Sequence, residues 1–203
     1  MATQSKRIPG WVWLVGALVV IGFWLMSVYN GLVTKDGEVQ NAWAQVETEY
    51  QRRSDLVPQL VSTVQGAAEF EQETFTEVTE ARSAWAETAS DPNATIEEQM
   101  AATNAFDSAL SRLLVTVEAY PELNATENFQ TLQSQLEGGE NRIAVARKDF
   151  NEVATTFNVA VRRFPTNIIA GMFGFEQYPL FESDEGAEDA PEVDFDFGGD
   201  DEE

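Results

Sequence analysis

Neither cysteine nor histidine occurs anywhere in this chain of 203 residues. Without cysteine there can be no disulfide framework, thiolate metal site or cysteine nucleophile. Without histidine the usual zinc ligands, the Ser-His-Asp and Cys-His constellations and the Glu-x-x-His di-iron bundle site fall away as well. Lysine is scarce: Lys6, Lys35 and Lys148 are the only three among twelve basic residues, set against 35 acidic ones. The resulting net charge of −23 argues against nucleic acid as a partner, because that partner demands a basic surface. No Gly-x-Ser-x-Gly, P-loop or Gly-x-Gly-x-x-Gly occurs. With so many carboxylates, a pair chosen by spacing alone means nothing. No catalytic, cofactor-binding or metal-binding residue is therefore assigned, and a non-enzymatic protein is expected.

Charge is also missing from one long stretch. Ile8 to Thr34 is 27 residues without a charged side chain. Trp11 to Val28 contains ten residues of Val, Ile, Leu and Phe, each favouring insertion by roughly 0.3 to 0.6 kcal/mol at a helix centre. About 20 apolar residues span a hydrocarbon core, so residues 8–34 are predicted to form a transmembrane helix and its exit, after a short flank at 1–7. A cleaved secretory signal is the competing reading, but its apolar region is usually about 7 to 15 residues long and ends in a small-x-small site. Here the run exits through Trp24, Leu25, Met26, Ser27, Val28, Tyr29 and Asn30. Trp11 and Trp13 on one side, with Trp24 and Tyr29 on the other, suit the two headgroup layers. Gly16 and Gly22 are six apart and make no Gly-x-x-x-Gly face. Lys6 and Arg7 precede the span and Lys35 follows it, which orients the N-terminus to the cytoplasm and the bulk of the chain outside.

Beyond the span the apolar period is helical. Val39, Trp43, Val46, Tyr50, Val57, Leu60 and Val64 follow steps of three, four or seven, and Phe75, Val78 and Trp85 extend them. Pro58 should kink this helix or mark a first turn, and Gly66 is the place for a reversal. The unbroken period across Gly66 favours the opposite reading, a first helix continuous from Glu38 to Ala89. Ser90 to Asn93 reads as a tight connection, and Thr95 with Glu98 forms a capping box for a helix buried through Ile96, Met100, Phe106, Leu110, Leu113 and Val117. Tyr120, Pro121 and Asn124 end it. The last helix carries Phe129, Leu136, Ile143, Phe150, Phe157 and Phe164 at sevens, with Leu132, Ala146, Val153 and Ala160 in a second, coiled-coil-like seam. Short connections imply an all-α, antiparallel up-and-down four-helix bundle over residues 35–181. Its last helix, about 60 Å long, would overhang its partners and descend toward the bilayer. Residues 182–203 hold 12 acidic and no basic residues and read as a disordered acidic tail. The remaining 23 acidic and 12 basic residues still leave −11, a composition that high salt relieves by screening and that suggests a halophilic source.

Three features stand apart from the pattern. Arg53 occupies a place where counting by sevens from Val39 and Val46 to Leu60 expects an apolar residue. It calls for a partner such as Glu140 on the last helix, or for a path along the helix edge to water. The segment from Phe164 to Phe175 is apolar, broken by glycine and too short to span a bilayer. It either packs on the bundle or meets a membrane surface or partner through Phe164, Met172, Phe173 and Phe175, with Arg162 and Arg163 beside lipid headgroups. Asn93-Ala94-Thr95 and Asn124-Ala125-Thr126 match the glycosylation sequon, but each also lies where a helix cap is expected.

Taken in order, the motifs resemble those of the LemA family. They begin with Tyr29-Asn30-Gly31-Leu32-Val33, Ala42-Trp43, Arg52-Arg53, Asp55-Leu56-Val57-Pro58 and Leu60-Val61. They continue through Tyr120-Pro121-Glu122-Leu123, Glu127-Asn128-Phe129, Glu140-Asn141-Arg142-Ile143, Ala146-Arg147, Phe150-Asn151 and Phe157-Asn158. Phe164-Pro165-Thr166-Asn167 and Ala170 to Phe175 complete a resemblance spanning residues 29–182. Gly138-Gly139 and the acidic tail depart from it. The resemblance implies a single-pass protein of the cell membrane with a helical bundle, no established enzymatic activity and no cofactor. Its expected partners are the lipid bilayer and another membrane or envelope protein. A scaffold or adaptor fits this picture, and a sensory module signalling through the membrane helix to a separate partner is the alternative.

Overall fold

The computed structural model describes residues 10–65, 72–124 and 126–182. The all-helical expectation holds, with no strand among the described residues. Six helices follow in order: α1 Gly10–Gln65, α2 Gln72–Ser90, α3 Ile96–Glu118, α4 Pro121–Asn124, α5 Glu127–Arg162 and α6 Thr166–Phe173. The flank at 1–7, the break expected at Gly66 and the acidic residues from Ser183 onward lie outside the described residues.

α1 is one 56-residue helix, about 84 Å long at 1.5 Å per residue. The boundary expected near Thr34 therefore falls inside an unbroken helix. Among the described residues α1 alone is long and apolar enough to cross a membrane, and its apolar window is not buried by the rest of the protein. Trp11, Leu18, Val20 and Phe23 are all at least 60% exposed. An apolar surface of this size left uncovered suggests membrane anchoring. From Leu32 onward the same helix presents a buried stripe of Val39, Trp43, Val46, Tyr50, Val57, Leu60 and Val64. The helix thus passes from exposed apolar side chains to a buried apolar stripe without interruption.

Side-chain pairs give the helix directions. Trp43 meets Phe150 edge-on at 5.2 Å, and Arg142 Nε donates to Glu49 Oε2 at 3.0 Å, so α5 runs antiparallel to α1. Tyr50 lies 6.3 Å from Trp85 and Arg82 reaches Ser54, which makes α2 antiparallel to α1 as well. α2 therefore travels back along α1. This corrects the reading of one helix from Glu38 to Ala89: the period persists because two helices face one core. α3 runs parallel to α1, with Trp43 donating to Gln99 and Tyr50 to Asp107.

The α5 seam is buried at Phe129, Leu136, Ile143, Phe150 and Phe157, but Phe164 is 76% exposed. The helix stops at Arg162, with Arg163 in an extended conformation as its C-cap. A residue before proline disfavours the helical region, and Phe164 precedes Pro165. In the second seam Leu132 and Ala146 are buried, whereas Ala154 and Val161 replace the expected Val153 and Ala160. A straight helix drifts about 20° per heptad against a strict repeat of seven, and the seam has moved one residue along. The capping box at Thr95 forms as expected, its hydroxyl accepting from Glu98 N while Glu98 Oε2 accepts from Thr95 N. Thr126 caps α5 through Phe129 N. In both sequons the threonine does the capping, and Asn93 is exposed.

Pro58 lies inside α1 and marks no first turn. A proline there cannot donate to the carbonyl four residues back, which belongs to Ser54, a residue only 1% exposed. Arg82 Nε on α2 donates to that carbonyl at 2.9 Å. The proline thus creates a buried acceptor that ties α2 to α1. Arg82→Ala should cost about 1–3 kcal/mol by stranding this acceptor. In a Pro58→Ala background the helix supplies the donor itself, and the cost should shrink. Equal losses in both backgrounds, measured by chemical denaturation in detergent, would rule out this coupling.

Candidate functional site

Arg53 is the point from which a buried polar cluster grows. It is 5% exposed and is held by α1 at the level of α3 and α5. One terminal nitrogen donates to Asp107 of α3 and the other to Glu140 of α5. The expected Arg53–Glu140 pair is therefore present, and Arg53 does not follow the helix edge to water. Its sequence neighbour Asp55 instead accepts from Gln51 at 2.9 Å on the outer surface.

The rest of the cluster did not stand out in the sequence. Arg147 of α5 donates to both Asp107 and the Tyr50 hydroxyl. That hydroxyl in turn donates to Asp107 Oδ2 at 2.7 Å. The Tyr50 ring lies beside both cations, 5.4 Å from the Arg53 guanidinium carbon and 5.5 Å from that of Arg147, within the range of cation–π attraction. Two arginines and two carboxylates balance in charge, which is what low-dielectric surroundings require. The Nε atoms of Arg53 and Arg147 are buried without a hydrogen-bond partner. Asp107 is one of 35 acids, and Tyr50 reads as an apolar residue of the α1 stripe. The available signal was the presence of Tyr50 and Arg53 three apart on one buried face.

A cleft of about 890 Å³ opens above this cluster between α3 and α5, which do not pack closely along their lengths. Met100, Leu110, Phe129 and Leu136 line it with apolar surface, Arg53 and Arg147 reach it, and Glu118, Glu137, Glu140 and Glu182 stand along it. Among the described residues no group of three or more acidic side chains is placed to hold a metal ion.

One wall of the cleft is the extended segment after α6. Asn158 accepts from Tyr178 N and donates to Tyr178 O, each at 2.8 Å. Asn151 does the same for Phe181, at 2.9 and 2.8 Å. Seven residues of helix rise about 10.5 Å, and three extended residues cover about 10 Å, so the two fastenings match in length. The segment lays Phe175 and Tyr178 against Phe157, and Phe181 against Phe150 and Trp43. Phe181 also covers Arg147, its ring centre 4.6 Å from the guanidinium carbon. The Tyr178 hydroxyl donates to Asp36 at 2.8 Å, bridging α5 to α1.

The Phe164 to Phe175 segment divides by face. Ile169 and Ala170 are buried and Phe175 turns inward onto Phe157, so it is less available for a surface contact than expected. Phe164, Ile168, Met172 and Phe173 point outward, 76, 56, 71 and 57% exposed. Gly174 closes α6 with φ +75°, a conformation that favours glycine at a helix end.

Comparison with known proteins gives a consistent set of relatives. A sequence model of the LemA family matches residues 42–195, so the match runs into the acidic residues that the resemblance had left aside. Two magnetosome proteins MamQ of Paramagnetospirillum magneticum are each 27% identical over 192 residues, 83% of this chain and 71% of theirs. Protein LemA of Metamycoplasma hominis is 25% identical over 156 residues, 77% of this chain and 69% of its own length.

The buried cluster carries two consequences. Arg53→Ala removes the most deeply buried charge of the cluster, leaves Asp107 to Arg147 and releases the largely exposed Glu140 to water, and should destabilise the domain by about 1–3 kcal/mol, measured by urea denaturation in detergent. A loss within experimental error would mean that the pair contributes nothing. Burial, followed by the charge of Asp107, raises the Tyr50 hydroxyl above its ordinary value of 10.0. Burial and Asp36 push Tyr178 up to about 12. The folded state thus keeps protons that the unfolded state releases, so this stabilisation is complete below pH 10 and is lost as pH rises beyond it. Tyr50→Phe together with Tyr178→Phe should flatten the fall in stability above pH 10, read from denaturation midpoints across an alkaline series.

Proposed function

The chain belongs to the LemA family, and from that premise we propose that it is a non-enzymatic scaffold or adaptor held at the cell membrane by α1. In this reading residues 8–34 are the tether, residues 35–181 form a four-helix bundle, and the bundle presents the α3/α5 cleft to another membrane or envelope protein. The observation that carries the reading is the cleft itself, which opens between α3 and α5 over the polar cluster. A mixed lining, with Met100, Leu110, Phe129 and Leu136 set among polar side chains and carboxylates, suits a cationic, amphipathic partner segment. The relatives' names state no reaction, and one group is named for the magnetosome. The acidic surface suits a salt-rich setting.

In the same reading the N-terminus is cytoplasmic and the bundle outside, supported by Lys6 and Arg7 before the span against Lys35 after it. A second reading draws on the continuity of α1, which joins the tether to Arg53 in one helix. Any tilt of the span would be felt at the buried cluster, as a sensory module requires. A change in α1 tilt on partner binding, measured by spin labels in vesicles, would favour that reading.

The absence of native cysteine allows a single experiment to test partner and side together. Ser111→Cys and Gln133→Cys, on the two cleft helices, should be labelled in intact cells by an impermeant photoreactive thiol reagent. Illumination should then capture the same protein from both positions and not from Ser83→Cys on α2. Labelling only after lysis would reverse the orientation. Labelling without a shared captured protein would count against the scaffold.

A further inference from the structure

We propose that the outer face of α6 is a membrane foot, seated in the headgroup layer of the bilayer that α1 spans. The inference rests on the membrane-anchored reading of α1 and adds a second, independent contact with the same bilayer.

The first argument is position. Tyr29 on α1 meets Phe173 at 4.7 Å and Phe175 at 6.0 Å between ring centres. Val20 lies near the middle of the apolar run, and Tyr29 stands nine residues further on, about 14 Å along a helix axis. Half of a hydrocarbon core is about 15 Å. The folding of α5 back along α1 therefore delivers α6 to the depth at which α1 leaves the lipid.

The second argument is chemistry. Phe164, Ile168, Met172 and Phe173 form a local group of outward apolar side chains, continued on α1 by Tyr29 and Val33, which are 36 and 44% exposed. Val115 and Val145, also exposed, lie on α3 and α5 within the stretches packed farther from the span. Single exposed apolar residues are ordinary, whereas a group of this kind marks a contact surface. Exposed Arg162 and Arg163 adjoin it, and in a chain of net charge −23 such a pair is a local exception. Arginines beside an apolar face are suited to anionic lipid headgroups. A protein partner would not require the patch to sit level with the end of the span.

The full chain, reconstituted in vesicles of phosphatidylcholine and phosphatidylglycerol, provides the test. Single cysteines replace Met172, Phe173, Val145, Val115 or Val20 in turn and carry an environment-sensitive fluorophore. The foot requires blue-shifted emission at Met172→Cys and Phe173→Cys, with stronger quenching by shallow than by deep nitroxide lipids. Val115→Cys and Val145→Cys should report water. Deep quenching at Val20→Cys reports the anchor separately. If Val20→Cys is in lipid while both α6 probes report water, the foot is overturned and the anchor stands. If Val20→Cys also reports water, the anchor fails and the foot with it. Arg162→Gln with Arg163→Gln should reduce α6 quenching in phosphatidylglycerol vesicles and leave Val20→Cys unchanged. An unchanged α6 signal would remove the arginines from the contact.

Discussion

The antiparallel packing of α5 on α1 is the constraint on which the other features of the domain depend. It buries Phe150 against Trp43, aligns Arg142 with Glu49 and brings Glu140 and Arg147 to Arg53 and Tyr50. The same pairing fixes where α5 ends along α1, and hence where α6 and the extended segment begin. A slip of one heptad would separate buried charges from their partners, at a cost of several kcal/mol. The aromatic contacts alone are less selective, because apolar surfaces interdigitate in many registers. The charged cluster therefore supplies register, while the rings supply most of the buried area.

α1 meets two surroundings in succession. Up to about Val28 its side chains face outward, and from Leu32 one stripe of them faces the other helices. A helix satisfies its backbone hydrogen bonds internally, so it can cross from lipid to protein without a break. That continuity makes the apolar N-terminal part of α1 and the helices packed on its C-terminal part mechanically one piece. It also gives α6 a definite height, because both ends of the α1/α5 pair are referred to the same axis. The asparagine fastenings at Asn151 and Asn158 carry the order onward, converting the heptad rise of α5 into a matched stretch of extended chain that walls the cleft.

Much of this was legible in the chain before any coordinates. The uncharged run, the helical period, the capping box at Thr95 and the Arg53–Glu140 pair each rest on local spacing or on a residue at odds with its stripe. Asp107, Arg147 and Tyr50 were not legible as a cluster, since their meeting depends on which faces of α1, α3 and α5 converge. The return of α2 along α1 was legible from the reversal expected at Gly66, but the unbroken period spoke against it for a related reason. Two helices that face one core share a period, and periodicity alone does not record the direction of travel.

The sequence by itself determined that the protein is helical, that it carries an uncharged apolar run able to cross a membrane, and which stripe of α1 and most of that of α5 is buried. Those are consequences of side-chain hydropathy and of the 3.6-residue turn. Only the tertiary structure decided that α3 and α5 stand apart to leave a cleft, that Arg82 serves the carbonyl orphaned by Pro58, and that α6 lies beside Tyr29. Each depends on the relative height and separation of helices distant in the chain, which local periodicity does not encode.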